Sequence, residues 1–388
     1  MRSISHHPRN VVDLLKELVA ISSVNPQGVP GTDLTGERAI AQYVAEFLRR
    51  AGANVTLEDV LPGRPNVIAD FAPDHPKAHL AFVPHLDTVS VLGMTIPPFD
   101  PVVHDGKLYG RGATDTKGPM AAGLWALHEW AHSPERKGSA IRWSFLGLMN
   151  EEAGNTGAQA LADRKYACDL MLVLEPTEMR VVNAQKGILW FEINTRGRSC
   201  HASTPELGDN AIAAMGDILE VIKRDLVPRL AREAHPALGP TTLNVGTIQG
   251  GSKLNIVPDH CRIEVDCRFV PALTQEAIRA MIETSVREAA PEAVVTIQRC
   301  SPPLNTDAAL PWVARLGQEA GGFTSAAWYA DAGILNAPHC PAVCIGPGHI
   351  AQAHTRDEFI SVRALEQGAA FFRRWISVAE NATQAAAA

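Results

Sequence analysis

What the chain lacks narrows its class. No apolar run approaches the roughly 18 residues that a membrane-crossing helix requires. There is no stripe or cluster of Lys and Arg to follow a phosphate backbone, and the formal net charge is −7, so nucleic acid is not an expected partner. The opening segment, Met1 to Pro8, has no apolar core behind its charge, so no secretory signal is expected. A soluble cytoplasmic protein follows. Seven cysteines occur, at 168, 200, 261, 267, 300, 340 and 344, with no Cys-x-x-Cys among them. An odd number without close pairs argues against a disulfide framework or a thiolate zinc knuckle. Buried reduced thiols are the expectation.

What is present suffices for more than one domain. The chain has 388 residues, 46% hydrophobic and 20% charged, an ordinary globular balance. Apolar spacing predicts helices over 10–21, with Asn10 as N-cap, and over 37–51, ending at Gly52. Strands are predicted at 66–71, 79–83, 141–149 and 169–174, alternating with helices at 118–131 and 156–163. The nearly unbroken apolar runs are those of buried strands in a mainly parallel sheet, so residues 1–181 read as an α/β sandwich. The texture then changes to strand 187–195, helix 210–230, strands 242–248 and 260–269, helix 274–289 and strand 293–298. That β-α-β-β-α-β order is a ferredoxin-like sandwich over 182–298. The α/β texture returns over 299–388, with a helix at 312–320, a strand at 341–345 and a helix at 362–377, which makes the second domain an insertion. The Ala-rich tail from Ala379 is expected to fray.

Seven acidic and imidazole positions stand out. His85 and Asp87 follow the 79–83 strand as His-x-Asp, a spacing that lets Asp87 reach the ring nitrogen not used for metal. Asp115 lies in a glycine-rich loop (Gly110, Gly112, Gly118) before a helix, where it suits either a bridging carboxylate or a simple helix cap. Glu151 and Glu152 end the 141–149 strand. Adjacent carboxylates repel unless a cation intervenes, and one can bind metal while the other acts as general base. Glu175 ends the 169–174 strand. His354 lies in a loop after the last strand, where spacing alone does not separate it from His349. Open α/β sheets place ligands at the carboxyl ends of their strands, so these positions converge on one edge. Their ligand set suits two zinc-like cations.

Together these phrases resemble the dizinc aminoacylase/carboxypeptidase family, which includes acetylornithine deacetylase, succinyl-diaminopimelate desuccinylase and glutamate carboxypeptidase-like enzymes. The likeness covers nearly the whole chain. It implies two Zn2+ ions, with Co2+ a substitute: Asp115 bridges them, His85 and Glu175 share one, and Glu152 and His354 share the other. It makes Glu151 the general base acting on a zinc-bridging water, with Asp87 orienting His85. It also implies a cis peptide between Asp115 and Thr116. In the inserted domain, Gly197–Ser203 resembles the segment whose histidine, here His201, reaches the partner subunit's site and helps hold the scissile carbonyl oxygen. Asn255 and Arg268 resemble the substrate-binding pair, and a guanidinium suits a carboxylate by bidentate pairing; an ion pair of Arg268 with Glu264 or Asp266 is the competing reading. Two departures from the family pattern are Pro84, where glycine is common, and Arg198, Ser199 and Cys200 beside His201. The implied activity is hydrolysis of an N-acyl amino acid by a homodimer formed through the inserted domain. A carboxypeptidase or dipeptidase acting on short peptides is the alternative.

Overall fold

A computed structural model describes residues 8–385; the expectation for the first seven residues lies outside them. The chain divides into two compact units. The first runs to Asn183 and takes in Thr306–Thr324 and the chain from Ala330; the second is Ala184–Asn305 with Ser325–Tyr329.

The first unit opens with helices α1 (Val11–Ala20) and α2 (Arg38–Arg50). Asn10 caps α1, its side chain accepting from the Asp13 amide at 2.8 Å, which satisfies one of the amides a helix start leaves bare. Strands β1 (Asn54–Leu61), β2 (Arg64–Phe71) and β3 (Ala78–Val83) follow, then the short pair β4 (Val102–His104) and β5 (Lys107–Tyr109). Next come α3 (Lys117–Ala131), β6 (Ile141–Gly147), α4 (Thr156–Asp163), β7 (Leu170–Val173) and β8 (Val181–Gln185). The strand Ala342–Cys344 and the helix Val362–Ala385 return late in the chain.

In the main sheet the strands run β1, β2, β6, β3, β7, Ala342–Cys344, β8. The four central strands are mutually parallel: β3 pairs with β6 and with β7, and β7 with Ala342–Cys344. Parallel neighbours end on the same edge, so the segments leaving these four strands all emerge together. Phe82 of β3 stacks on Trp143 of β6 at 5.9 Å and meets Phe372 of the last helix edge-on at 5.2 Å. These rings, with Trp130 and Trp375, are among the largest fully buried side chains, and they fix the sheet against its helices.

Two sequence expectations change. Strand β1 was not foreseen: its polar residues at 54, 56, 58 and 59 blur the apolar signal, and its pairing with β2 through the Pro62–Gly63 turn defines it. The tail from Ala379 does not fray within the described residues, since the helix continues to Ala385 with Ala379, Glu380 and Thr383 buried. Glu380 accepts from Trp143 Nε1 at 2.9 Å and from Ser139 Oγ at 2.6 Å. A buried carboxylate with two donors anchors that turn, whereas composition alone suggested a free end.

The second unit is a four-stranded antiparallel sheet in the order Thr242–Gly250, His260–Phe269, Gly187–Arg196, Val294–Ser301. Helices Ala211–Val221 and Gln275–Ala289 complete the β-α-β-β-α-β order. In the His260–Phe269 strand, Cys261, Ile263, Val265, Cys267 and Phe269 are buried while the alternate residues are not, as a sheet with one covered face requires. The expected span of 182–298 ends inside the Val294–Ser301 strand, whereas the unit continues to Asn305 and takes in Ser325–Tyr329.

Candidate metal centre

Each central strand delivers one element of the site. His85 lies two residues beyond β3, Glu151 and Glu152 four and five beyond β6, Glu175 two beyond β7, and His354 ten beyond Ala342–Cys344. Asp115 comes from the loop between β5 and α3. Thr116, not Asp115, is the helix-capping position, so the capping role open in the sequence falls away. The Asp115–Thr116 peptide is cis, as the resemblance implied.

The carboxylate of Asp115 faces two imidazoles at once. Its Oδ1 lies 3.0 Å from His85 Nε2 and its Oδ2 lies 3.3 Å from His354 Nε2. His354 Nε2 is also 3.3 Å from Glu152 Oε2. His85, Asp115 and Glu152 each bring one ligand atom within 4.8 Å of the others. His354, not His349, therefore joins the cluster; His349 instead accepts from the Ala351 amide at 2.9 Å. Glu175 is buried behind the same edge, but it is not one of the three residues that converge most closely.

Asp87 meets the His85 ring through two groups. His85 Nδ1 donates to the backbone carbonyl of Asp87 at 2.9 Å, while the Asp87 carboxylate stands 3.6 Å away. The shorter contact decides the tautomer: a carbonyl can only accept, so in the neutral ring Nε2 keeps its lone pair for the cluster. The carboxylate is also engaged elsewhere, accepting from the amides of Glu151 at 2.9 Å and Glu152 at 3.1 Å.

Burial and mutual charge shape the electrostatics. Burial, then the nearby negative charges of Asp331, Glu152 and Glu175, pushes Glu151 well above the usual carboxyl range, against the opposing charge of His85. Glu175 is pushed well up, and Glu152 up, by burial and by Asp115. Burial would also raise Asp115, but hydrogen bonds from His354 and His85 outweigh it and hold that carboxyl low. His354 is pushed up to about 11 by its bonds to Asp115 and Glu152. Glu152 Oε1 is buried with no hydrogen-bond partner, a costly state for a carboxylate oxygen. One buried orphan acceptor among crowded carboxyls is what a cation would satisfy, so the residues present fit a metal.

Two carboxylates escaped the sequence reading. Glu358 is fully buried and accepts from the amides of Gly112, Thr114 and Asp115 at 2.9–3.0 Å, and from Arg111 at 2.8 Å. It is the anchor of the loop that presents Asp115. In that loop Gly112 has φ +80°, and a Cβ there would lie 2.8 Å from Thr88 Cγ2, so glycine is required. Asp331 is buried and accepts from Asn155 Nδ2 at 2.8 Å, beside the Glu151–Glu152 turn. Neither residue belongs to a local motif. Replacing Glu358 by Ala leaves Arg111 and three amides without their acceptor, and is expected to destabilise the protein by about 3–5 kcal/mol. Chemical denaturation of the metal-free protein measures this, and a loss under 1 kcal/mol contradicts the anchoring role.

The three candidate lid residues all lie in the second unit. His201 is exposed, with Nδ1 2.7 Å from Ser203 Oγ. Its segment runs beside that of Asn255, the Ala202 amide donating to the Asn255 carbonyl at 3.1 Å. Arg268 donates to Asp266 through Nε at 2.9 Å and through a terminal nitrogen at 3.0 Å, so the ion-pair reading describes it in this structure.

A parallel sheet whose strand ends assemble a buried His/carboxylate cluster, together with a ferredoxin-like insertion, defines a metal-dependent hydrolase of the metallopeptidase class. Residues 183–294 match the Peptidase dimerisation domain and residues 66–217 match Peptidase family M28. An acetylornithine deacetylase of Myxococcus xanthus is 30% identical over 310 residues, covering 78% of this chain and 80% of the relative. A probable succinyl-diaminopimelate desuccinylase of Staphylococcus epidermidis is 26% identical over 387 residues, covering 90% and 92%. A tripeptidase structure from Staphylococcus aureus superposes with TM-score 0.76 at 21% identity, covering 97% and 99%. The chain belongs to the M20 family of metallopeptidases and deacylases, and it is a hydrolase. No helix among the described residues is long and apolar enough to cross a membrane.

Proposed function

We propose that this enzyme hydrolyses the amide bond of an N-acyl amino acid at a centre of two zinc ions, with Glu151 as general base. The observation that carries the reading is the posture of Asp115, which offers Oδ1 toward His85 and Oδ2 toward His354. A carboxylate with each oxygen committed to a different imidazole is built to bridge. Glu175 would complete the side of His85, and Glu152 the side of His354. Bound there, the metal pair would supply Lewis acidity to the amide carbonyl and make the attacking water more acidic.

The protein's own groups divide the remaining work. Glu152 meets His354 through Oε2 and keeps a buried, unpartnered Oε1, which supports a ligand role for it. Glu151, its neighbour, is left to take a proton from the attacking water and return it to the leaving nitrogen. Asp87 holds both glutamate amides and, through its carbonyl, the ring of His85. The reading places His201 at the carbonyl oxygen from across a homodimer, and Arg268 and Asn255 at the substrate's carboxylate. The match of 183–294 to a dimerisation domain supports that assembly. For Arg268 to serve, it would exchange Asp266 for the substrate, a charge-for-charge replacement.

A panel of N-acetyl and N-succinyl amino acids, set beside dipeptides and tripeptides, tests the substrate class with zinc-loaded protein. The account expects kcat/KM for one N-acyl amino acid to exceed that for every peptide by at least tenfold. Faster cleavage of peptides would transfer the assignment to a dipeptidase or carboxypeptidase using the same centre.

A further inference from the structure

The turn that carries Glu151 and Glu152 is held by residues from distant parts of the first unit, and one of them, Asn25, bonds both to Asp87 and to Asn150. We propose that Asn25 is a positioning residue for the two glutamates, acting through Asp87 and Asn150. The inference rests on the roles given to Glu151 and Glu152 above.

Asn25 is 5% exposed. Its Nδ2 donates to Asp87 Oδ2 at 2.7 Å and to Asn150 Oδ1 at 2.8 Å. A side-chain amide nitrogen has two hydrogens, so both bonds form together and use its whole donor capacity. Its Oδ1 accepts from the Gln27 amide at 3.0 Å, and its backbone amide donates to the Thr88 carbonyl at 2.9 Å. An N–H on one side and a carboxylate on the other leave a single orientation of the amide group.

Each partner constrains the turn from a different side. The Asp87 carboxylate receives the amides of Glu151 and Glu152 themselves. Asn150, the residue before them, has φ +64°, a conformation that ordinary side chains reach only when their surroundings hold them. Here its amide donates to Glu37 Oε1 at 3.1 Å, its Nδ2 donates to Thr156 Oγ1 at 3.0 Å, and its Oδ1 also accepts from Arg64 at 3.1 Å. Arg64 in turn grips Glu37 with two bonds at 2.7 and 2.5 Å, the Glu37 side chain being fully buried. Among the described residues, Asn25 is the side chain bonded both to Asn150 and to the carboxylate that holds the glutamate amides. It therefore locks the backbone on both sides of the point where the base and a metal ligand diverge. Misplacing such groups by about 1 Å costs on the order of 100-fold in rate.

Asn25→Asp isolates this role. It keeps the size and the oxygen that accepts from Gln27, and it turns both donated bonds into contacts between acceptors. The expected result is a 10- to 100-fold fall in kcat with KM within about twofold of wild type. Zinc affinity, measured by competition with a chromogenic chelator, should fall at least tenfold. If Asn25→Asp does not fold, Asn25→Ser, which keeps one donor, should show the same losses in smaller measure. Unchanged kcat and zinc affinity in a folded variant overturns the proposal. So does a loss of activity explained entirely by the fraction of unfolded protein. A wild type that binds zinc but cleaves no amide would refute the proposed reaction instead, and the zinc competition would still decide the role of Asn25.

Discussion

Glu151→Gln is expected to lower turnover by about 10³- to 10⁴-fold while leaving fold and metal content at wild-type levels. The substitution is close to isosteric and removes only the ability to accept a proton, so the loss reads the general-base contribution directly. Two features of the structure support the role. Glu151 is buried, which raises its proton affinity, and a base that must return its proton needs an affinity above that of an ordinary carboxylate. Its amide is also tied to Asp87, which fixes the start of the side chain. The neighbouring variant provides the contrast. Glu152→Gln should lose metal, because Glu152 shares the cluster with His85 and Asp115. Steady-state kinetics with metal analysis on both proteins separates the two roles. A metal-replete Glu151→Gln enzyme with more than a tenth of wild-type turnover would remove Glu151 from the mechanism.

Asp115→Ala is expected to abolish activity by removing the carboxylate that offers one oxygen to each histidine. Metal binding should fail with it. For wild-type protein, a metal at about 1,000 times its Kd adds roughly 4 kcal/mol of stability by mass action, so zinc should raise the unfolding temperature, and chelation should reverse both that rise and the activity. Cobalt should restore activity after chelation. For Asp115→Ala the unfolding temperature should not respond to zinc. A variant that still gains stability from zinc would mean that the metals are held without a bridge.

Much of this candidate site was legible because its residues follow the most legible elements. The runs ending near Val83, Gly147 and Val173 are almost wholly buried, and continuous apolar strands announce a parallel sheet with a functional edge. The polar residue just past each run then becomes a candidate without further information. His354 was harder, since ten residues separate it from its strand and spacing alone does not distinguish it from His349; the family resemblance selects it, and the contact geometry brings it to Asp115 and Glu152. The groups that hold the ligands were not legible at all. Glu358 meets its loop from 243 residues or more away in sequence, and Asn25 lies 125 residues from Asn150. Single polar residues at such separations leave no periodic trace. The second commitment of Asp87 left no trace for a related reason: the His-x-Asp spacing reveals that the two residues are close, but not that the carboxylate also receives the glutamate amides.

Anomalous diffraction at the zinc absorption edge, from crystals of zinc-loaded protein, tests the central claim most directly. The account predicts two peaks about 3.5–4 Å apart, one on each side of the Asp115 carboxylate, the first beside His85 and Glu175 and the second beside Glu152 and His354. A single peak, or a pair that does not straddle Asp115, would contradict it.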